Sequence, residues 1–278
     1  MPSQHLHVGP GQEAQPLQDF LAARLGLSRN KAKAILDQRQ AFVNGRRVWM
    51  TQHTLKKGDK VEVIIPPNKH KSSSAKPVIL FQDNEYLVVN KSPGRLSNGA
   101  DSLESDLQAL MNQPRLQAVH RLDRDTSGCI LIARSKAAFD QAVDLFKAQR
   151  IIKVYHALAA GDIQDRDRRV EYALDGEPAV TLLHRVDSHS LATHLKVKIE
   201  TGRTHQIRKH LAYIGHPVLG DRTYAGRGAI PEEFREIGRQ MLHAASLTFE
   251  SPFTKMKIRV EAPLPRDFVI WMKRLGLR

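Results

Sequence analysis

His120-Arg121-Leu122-Asp123-Arg124-Asp125-Thr126-Ser127-Gly128 runs directly into Cys129-Ile130-Leu131-Ile132-Ala133. The first stretch carries two carboxylates, two guanidiniums, an imidazole and two hydroxyls, and the second is wholly apolar. A dense charged loop therefore sits at the mouth of a buried strand. Unpaired buried charge is expensive, and loops held on rigid elements are where chemistry is usually placed. The loop reads as a site, although a capping and salt-bridge cluster that anchors the strand has the same composition. Alternate residues of an extended segment project one way, so Asp123 and Asp125 are expected to face one pocket. Arg121 and Arg124 beside them suit bidentate phosphate binding. A carboxylate in a cleft can act as nucleophile or general base.

Outward from this strand, Val78-Ile79-Leu80-Phe81 and Tyr86-Leu87-Val88-Val89-Asn90 flank Asp83-Asn84-Glu85 and predict a hairpin. Ser135 is placed to cap a helix with Phe139, Val143 and Phe146 on one face. Val154 to Ala159 reads as a strand ending at Gly161. His194 to Ile199 alternates, with Leu195, Val197 and Ile199 inward and Lys196 and Lys198 outward. Thr204 is placed to cap a helix bearing Ile207, Leu211 and Ile214, closed by Gly215. Strands outnumber helices and arrive in hairpins rather than βαβ units. Residues 77–278 are thus expected to form an α+β domain on a mixed, mostly antiparallel sheet.

Ahead of that domain, residues 1–14 are polar and contain Gly and Pro, and are expected to be disordered. Residues 15–65 read as a small α/β unit. Leu17, Phe20, Leu21 and Leu25 recur at helical spacing before Gly26, and Ser28 can cap a second helix around Ala32, Ile35 and Leu36. Asn44-Gly45 between Phe42-Val43 and Arg46-Arg47-Val48 is a strong hairpin signal. Residues 66–76 hold three lysines, no acid and no large apolar side chain, and read as a basic flexible linker.

The chain of 278 residues has 43 Lys and Arg against 29 Asp and Glu, a formal charge of +14. Such a field favours a polyanionic partner, with nucleic acid foremost. A single cysteine excludes a disulfide framework and CxxC zinc sites, and Cys129 reads as a buried small hydrophobe. No leader-like segment or membrane-length apolar run is visible, so a cytoplasmic protein is expected.

Two further clusters carry chemistry. Glu200-Thr201-Gly202-Arg203-Thr204-His205-Gln206-Ile207-Arg208-Lys209-His210 places Arg208 one turn into the expected helix. Arg203 and Lys209 with the helix amides would make an anion site. His205, His210 and His216 do not stack on a helix at metal-ligand spacing, so no metal is expected. Lys153-Val154-Tyr155-His156-Ala157 places a tyrosine mid-strand, a position more common for core than for catalysis. There is no phosphate-binding GxxxxGKS loop, no GxGxxG after a strand and no nucleophile elbow. The Asp-x-Asp spacing invites a haloacid-dehalogenase-type phosphatase, but Arg115 to His120 is a poor buried strand and Ser127 stands where Thr or Val is wanted.

Taken together, three ordered segments resemble the pseudouridine synthases of the RluA family. They are His120 to Gly128, Lys153 to Gly161, and Thr201 to Asp221. Residues 15–65 resemble the small RNA-binding domain first seen in ribosomal protein S-four. Asn90 to Gly99 follows the family's first motif only loosely. The resemblance implies isomerisation of uridine to pseudouridine in ribosomal or transfer RNA, with no cofactor and no obligatory protein partner, by a chain able to act as a monomer. It makes Asp123 the nucleophile, Arg208 its partner and Tyr155 the surface on which the flipped uracil stacks. The RNA contacts it implies are His120, Arg121, Arg124, Thr126, Arg203 and Thr204, and in the small domain Arg29, Lys31, Lys33 and Asn44. An inert RNA-binding or assembly factor with the same fold is the alternative. A carboxylate-nucleophile hydrolase is a third reading.

Overall fold

Ser127–Ala133 is a strand buried along its whole length, as the apolar run predicts. It belongs to the larger of two compact units, residues 1–71 and 72–278, in a computed structural model. The structure describes residues 3–27, 29–37, 40–64, 76–226, 234 and 236–278. Ser28 and residues 66–75 of the expected linker lie outside the described residues, as does the side chain of Lys31.

In the small unit, β1 (Ser3–His7), β4 (Lys60–Ile64), β2 (Ala41–Val43) and β3 (Arg46–Val48) form an antiparallel sheet in that order. It carries α1 (Leu17–Leu25) and α2 (Arg29–Asp37). Leu17, Phe20 and Leu21 are buried, and Gly26 ends α1 at φ 63° with its N–H on the Ala22 carbonyl. The disorder expected of residues 1–14 is corrected for the described residues, 3–14. Ser3–His7 pairs with β4 over five residues, and Val8 is buried. Val61 and Val63 keep one face of β4 in the core, and the edge of β4 away from β2 is a template that β1 completes.

The larger unit holds a ten-stranded mixed sheet, confirming the α+β class. Its path is β10 (Asp167–Glu171), β11 (Val180–His189), β12 (Ala192–Ile199), β9 (Ile152–Ala160), β13 (Leu242–Glu250), β8 (Ser127–Ala133), β6 (Tyr86–Lys91) and β5 (Val78–Gln82). β14 (Lys257–Glu261) pairs with β13, and β7 (Gln117–Ala118) with β8. Among the described residues all pairings are antiparallel except β13 with β8, where His243 faces Ser127 and Ala244 faces Gly128.

Both faces of the central strands are buried. Leu87, Val89, Ile130 and Ile132 enter one core, together with Leu103 and Leu107 of α3 (Leu103–Met111) and Ile207 and Leu211 of α5 (Gln206–Tyr213). Tyr86, Val88 and Leu131 enter the other, with Ala138 and Ala142 of α4 (Lys136–Lys147). Ser135 caps α4 by accepting from the Ala138 N–H at 3.1 Å. The last helix, α6 (Arg266–Arg274), packs Phe268 into a further cluster.

Gly128 ends the charged loop for a steric reason. Its φ is +113°, and a Cβ there would lie 2.1 Å from the Ala244 carbonyl oxygen. Only glycine lets β8 and β13 meet where the loop leaves the sheet.

Candidate active site

The loop does not stay extended. The Thr126 N–H reaches back to the Asp123 carbonyl at 3.1 Å, closing a turn. The alternation expected of Asp123 and Asp125 is therefore lost. Asp123 lines a cleft of about 630 Å³, and Asp125 does not.

Arg208 reaches Asp123 from α5, its Nη1 donating to Oδ2 at 2.9 Å. Its other edge is gripped by Asp221, with Nε to Oδ2 at 2.6 Å and Nη2 to Oδ1 at 2.9 Å. Arg208 is 5% exposed, and the Asp221 side chain is fully buried. Burial pushes the Arg208 pKa down, but the two carboxylates outweigh it and the net shift is upward. Burial likewise pushes Asp221 up, yet Arg208 and the N–H groups of Thr223 and Tyr224 leave it below the usual carboxylate range. Tyr224 lies under the guanidinium, 5.0 Å from carbon to ring centroid, and its hydroxyl meets His205 Nδ1 at 2.8 Å. His205 Nε2 is 3.5 Å from Asp123 Oδ1.

The helix start departs from expectation. Thr204 is exposed and caps nothing; His205 occupies the N-cap position at φ 56°. The buried amide of Gln206 satisfies the turn instead. Its Oε1 accepts from the Arg203 N–H at 3.0 Å and the Thr201 hydroxyl at 2.7 Å, and its Nε2 donates to the Val180 carbonyl at 2.8 Å. The left-handed turn at His205 brings its ring to Asp123.

Tyr155 lines the cleft from β9 and is 7% exposed. Burial, then the Asp123 charge, pushes its hydroxyl pKa up. Among the described residues that hydroxyl has no hydrogen-bond partner. His120 also lines the cleft, but its Nε2 accepts from the Leu131 N–H at 3.0 Å, and burial drives its pKa down to about 3. Thr126 accepts from Gln240 Nε2 at 2.9 Å, which also lies 3.4 Å from Asp123 Oδ2. Arg121 and Arg203 are exposed on the cleft, Arg203 paired with Glu177 at 3.2 Å. Arg124 and Thr204 are exposed outside the cleft lining.

Several supports were not legible as such. Lys91 is fully buried and donates to the carbonyls of Ser92, Arg95 and Arg124 at 3.2, 2.8 and 2.9 Å. Burial lowers its pKa to about 7, opposed by Asp125. Ser97 bridges both backbone groups of Leu122. Arg239 donates to the Asp125 carbonyl at 3.0 Å while Asp267 of α6 holds its other edge. The segment 90–99 therefore braces the loop 120–128 from below, and its sequence signals were a loose match to the family's first motif and an isolated lysine closing an apolar strand.

In the small unit, Arg29 pairs with Asp19 at 2.7 Å, and Lys33 is exposed. Asn44 sits at φ 50° in the hairpin turn, its amide bonded to Asp59 and to the Lys60 N–H. Among the described residues no group of three or more His, Cys, Asp or Glu is arranged to hold a metal. His210 bonds Thr181 and the Tyr172 carbonyl, and His216 the Ala160 carbonyl. No described helix is long and apolar enough to cross a membrane.

A mixed α+β fold with a carboxylate–arginine pair in a cation-rimmed cleft describes an enzyme that works on a polyanion. Comparison with known proteins makes the class specific. Residues 85–213 match the RNA pseudouridylate synthase family. The chain is 32% identical over 275 residues to ribosomal large subunit pseudouridine synthase D of Pasteurella multocida, covering 87% of this chain and 85% of that one. It is 30% identical over 300 residues to ribosomal large subunit pseudouridine synthase C of Escherichia coli, covering 95% and 94%. The solved structure of human RNA pseudouridylate synthase domain containing 4 shares the fold at TM-score 0.62 and 23% identity, covering 72% of this chain and 94% of that one. The chain belongs to the RNA pseudouridine synthase family and is an isomerase acting on RNA.

Proposed function

We propose that this enzyme isomerises uridine within large-subunit ribosomal RNA, in the cytoplasm and as a monomer, using Asp123 as its nucleophile. The names of the relatives support the ribosomal substrate. The observation that carries the residue assignment is the cleft position of Asp123, with Arg208 at 2.9 Å and Tyr155 beside it. The target base leaves its stack, at a cost of a few kcal/mol, and lies against Tyr155. Asp123 attacks the ribose anomeric carbon or the uracil ring. The N1–C1′ bond breaks, the uracil turns, and C5 bonds to C1′. The C5 hydrogen leaves as a proton, and N1 gains one. The sum is redox-neutral, so neither an organic cofactor nor a metal is needed to balance it. Arg208 aims the carboxylate, while Arg121 and Arg203 at the cleft rim meet phosphates. The basic small unit, through Lys33, Lys31 and Arg29, adds RNA affinity.

The decisive experiment incubates the protein with large-subunit ribosomal RNA tritiated at C5 of uridine. Tritium release that disappears in Asp123→Asn is the expected result. Release that persists in that variant refutes the nucleophile assignment, and RNA binding without release by the unmodified enzyme refutes the substrate.

A further inference from the structure

Cations in the interior of proteins are paired, because transfer out of water must be offset by an opposite charge or by carbonyl oxygens. This molecule follows that rule at Arg208, held by two carboxylates, and at Lys91, held by three carbonyls. Lys153 does not. It is half-buried in the wall of the catalytic cleft, yet among the described residues its ammonium makes no hydrogen bond and no ion pair. Its neighbour is the Phe146 ring, 5.3 Å from Nζ to centroid. Burial lowers its pKa, with no carboxylate offsetting the effect.

Two features place this ammonium on the cleft. Lys153 and Tyr155 are alternate residues of β9, so they share one face of the strand. Nearby is Gly202, where an added Cβ would lie 3.8 Å from Nζ, an ordinary contact distance. The ammonium thus lines the same cleft as the stacking tyrosine, and although the carboxylates of Asp123 and Glu200 also line it, neither pairs with Lys153.

We propose that Lys153 is a phosphate-binding residue, which receives a phosphodiester of the flipped nucleotide when its uracil stacks on Tyr155. This rests on the uridine-in-RNA reading above. A desolvated ammonium gains most from a full negative charge, and in RNA the formal negative charges are on phosphates rather than on the uracil carbonyls. Arg121 and Arg203, being exposed, attract RNA to the rim. Lys153 registers the one nucleotide inside, so it separates a flipped nucleotide from one merely adsorbed.

The test measures single-turnover tritium release from C5-tritiated large-subunit ribosomal RNA at several salt concentrations, for Lys153→Met, Lys153→Gln and Lys153→Arg. Methionine keeps the stem against Phe146 without the charge, and glutamine guards against a packing artefact of either variant. A charge-assisted contact is expected to weaken half-saturation about ten-fold in the Met and Gln variants, with the saturated rate within about two-fold. The slope of log half-saturation against log salt should become shallower by about 0.7, as for one lost phosphate contact on a single strand, and Arg should restore it. An unchanged slope and half-saturation, or a loss confined to the saturated rate, overturns the proposal. Filter binding of the same RNA across the same salt range gives the slope without turnover. If the unmodified enzyme releases no tritium, the functional reading fails, and the filter-binding slopes still decide Lys153.

Discussion

Replacing Asp221 by Asn is the sharpest probe of how the active site is held, because it changes one charge and almost no volume. Arg208 makes two hydrogen bonds to Asp221 and one to Asp123. An amide at position 221 can accept one of those two bonds but turns an NH₂ group toward the other guanidinium donor. Breaking a buried pair by removing one partner costs about 3–5 kcal/mol. Asp123 still faces the guanidinium, so the lower end, about 3 kcal/mol, is the better figure here. With a urea dependence near 3 kcal/mol per molar, the midpoint should fall by about 1 M. The Asp221 carboxyl titrates below its ordinary 3.8 when folded, so this stabilisation is complete above that pH and is lost only as acid passes the folded value. At neutral pH the full effect is therefore present. Turnover should suffer as well, since a guanidinium released on one edge no longer fixes the carboxylate, and a displacement of about 1 Å can cost about 10²-fold. The assays are urea unfolding followed by circular dichroism and single-turnover tritium release. Combining Asp221→Asn with Asp123→Asn should be worse than additive by at least about 1 kcal/mol, because Arg208 then has no carboxylate left. A single variant that stays within about 0.5 kcal/mol of the unmodified protein and within about two-fold of its rate would refute the reasoning.

Tyr155→Phe should keep RNA affinity, because the hydroxyl has no partner among the described residues, whereas Tyr155→Leu should lose about 1–3 kcal/mol of stacking in a binding titration. Equal loss in both would place the tyrosine's role in its hydroxyl. Gly128→Ala should give little soluble protein, since its Cβ would lie 2.1 Å from a backbone oxygen of β13; a well-folded variant of normal midpoint contradicts the steric account. His120, whose pKa is lowered from 6.5 to about 3, is neutral in the fold and takes up a proton first in the unfolded chain. Its stabilisation is thus complete above pH 6.5 and drains as pH falls toward 3, by up to about 1.4 kcal/mol per pH unit. The fall in urea midpoint between pH 6.5 and 4.5 should be shallower in His120→Gln, and equal slopes would sink that assignment.

What the sequence made legible followed from local rules. The buried run 129–133, the hairpin at Asp83 to Glu85, the Ser135 cap and the inward face of β12 all depend on residue type and spacing within one segment. What it hid depended on distant partners. Asp221 entered the sequence reading only as the end of the segment Thr201 to Asp221, and only the fold sets it against Arg208. Lys91 and Arg239 act on backbone carbonyls, which every residue has, so no pattern of side chains announces them. The start of α5 misled for a local reason. Threonine is a good cap by preference, but the buried Gln206 amide already satisfies the Arg203 N–H, and His205 is free to adopt the left-handed turn. The N-terminal strand misled because its pairing energy lies in the β4 edge rather than in its own few apolar residues.

The two aspartates of the opening loop show how a fold assigns roles that chemistry leaves equal. Asp123 and Asp125 are the same residue type two positions apart, and an extended backbone would send both into one cleft. The turn closed by Thr126 sends only Asp123 there, to within 2.9 Å of Arg208. Asp125 lies on the other side, where the Arg239 guanidinium grips its backbone carbonyl and the buried Lys91 ammonium feels its charge. The loop is therefore stretched between two cationic anchors. Arg208 holds the Asp123 carboxylate from α5, and Lys91 with Arg239 holds the backbone from β6 and from the segment before β13. Neither anchor alone orients Asp123, since one fixes the side chain and the other the chain that carries it. Weakening the lower anchor with Lys91→Met should thus slow turnover without touching the cleft.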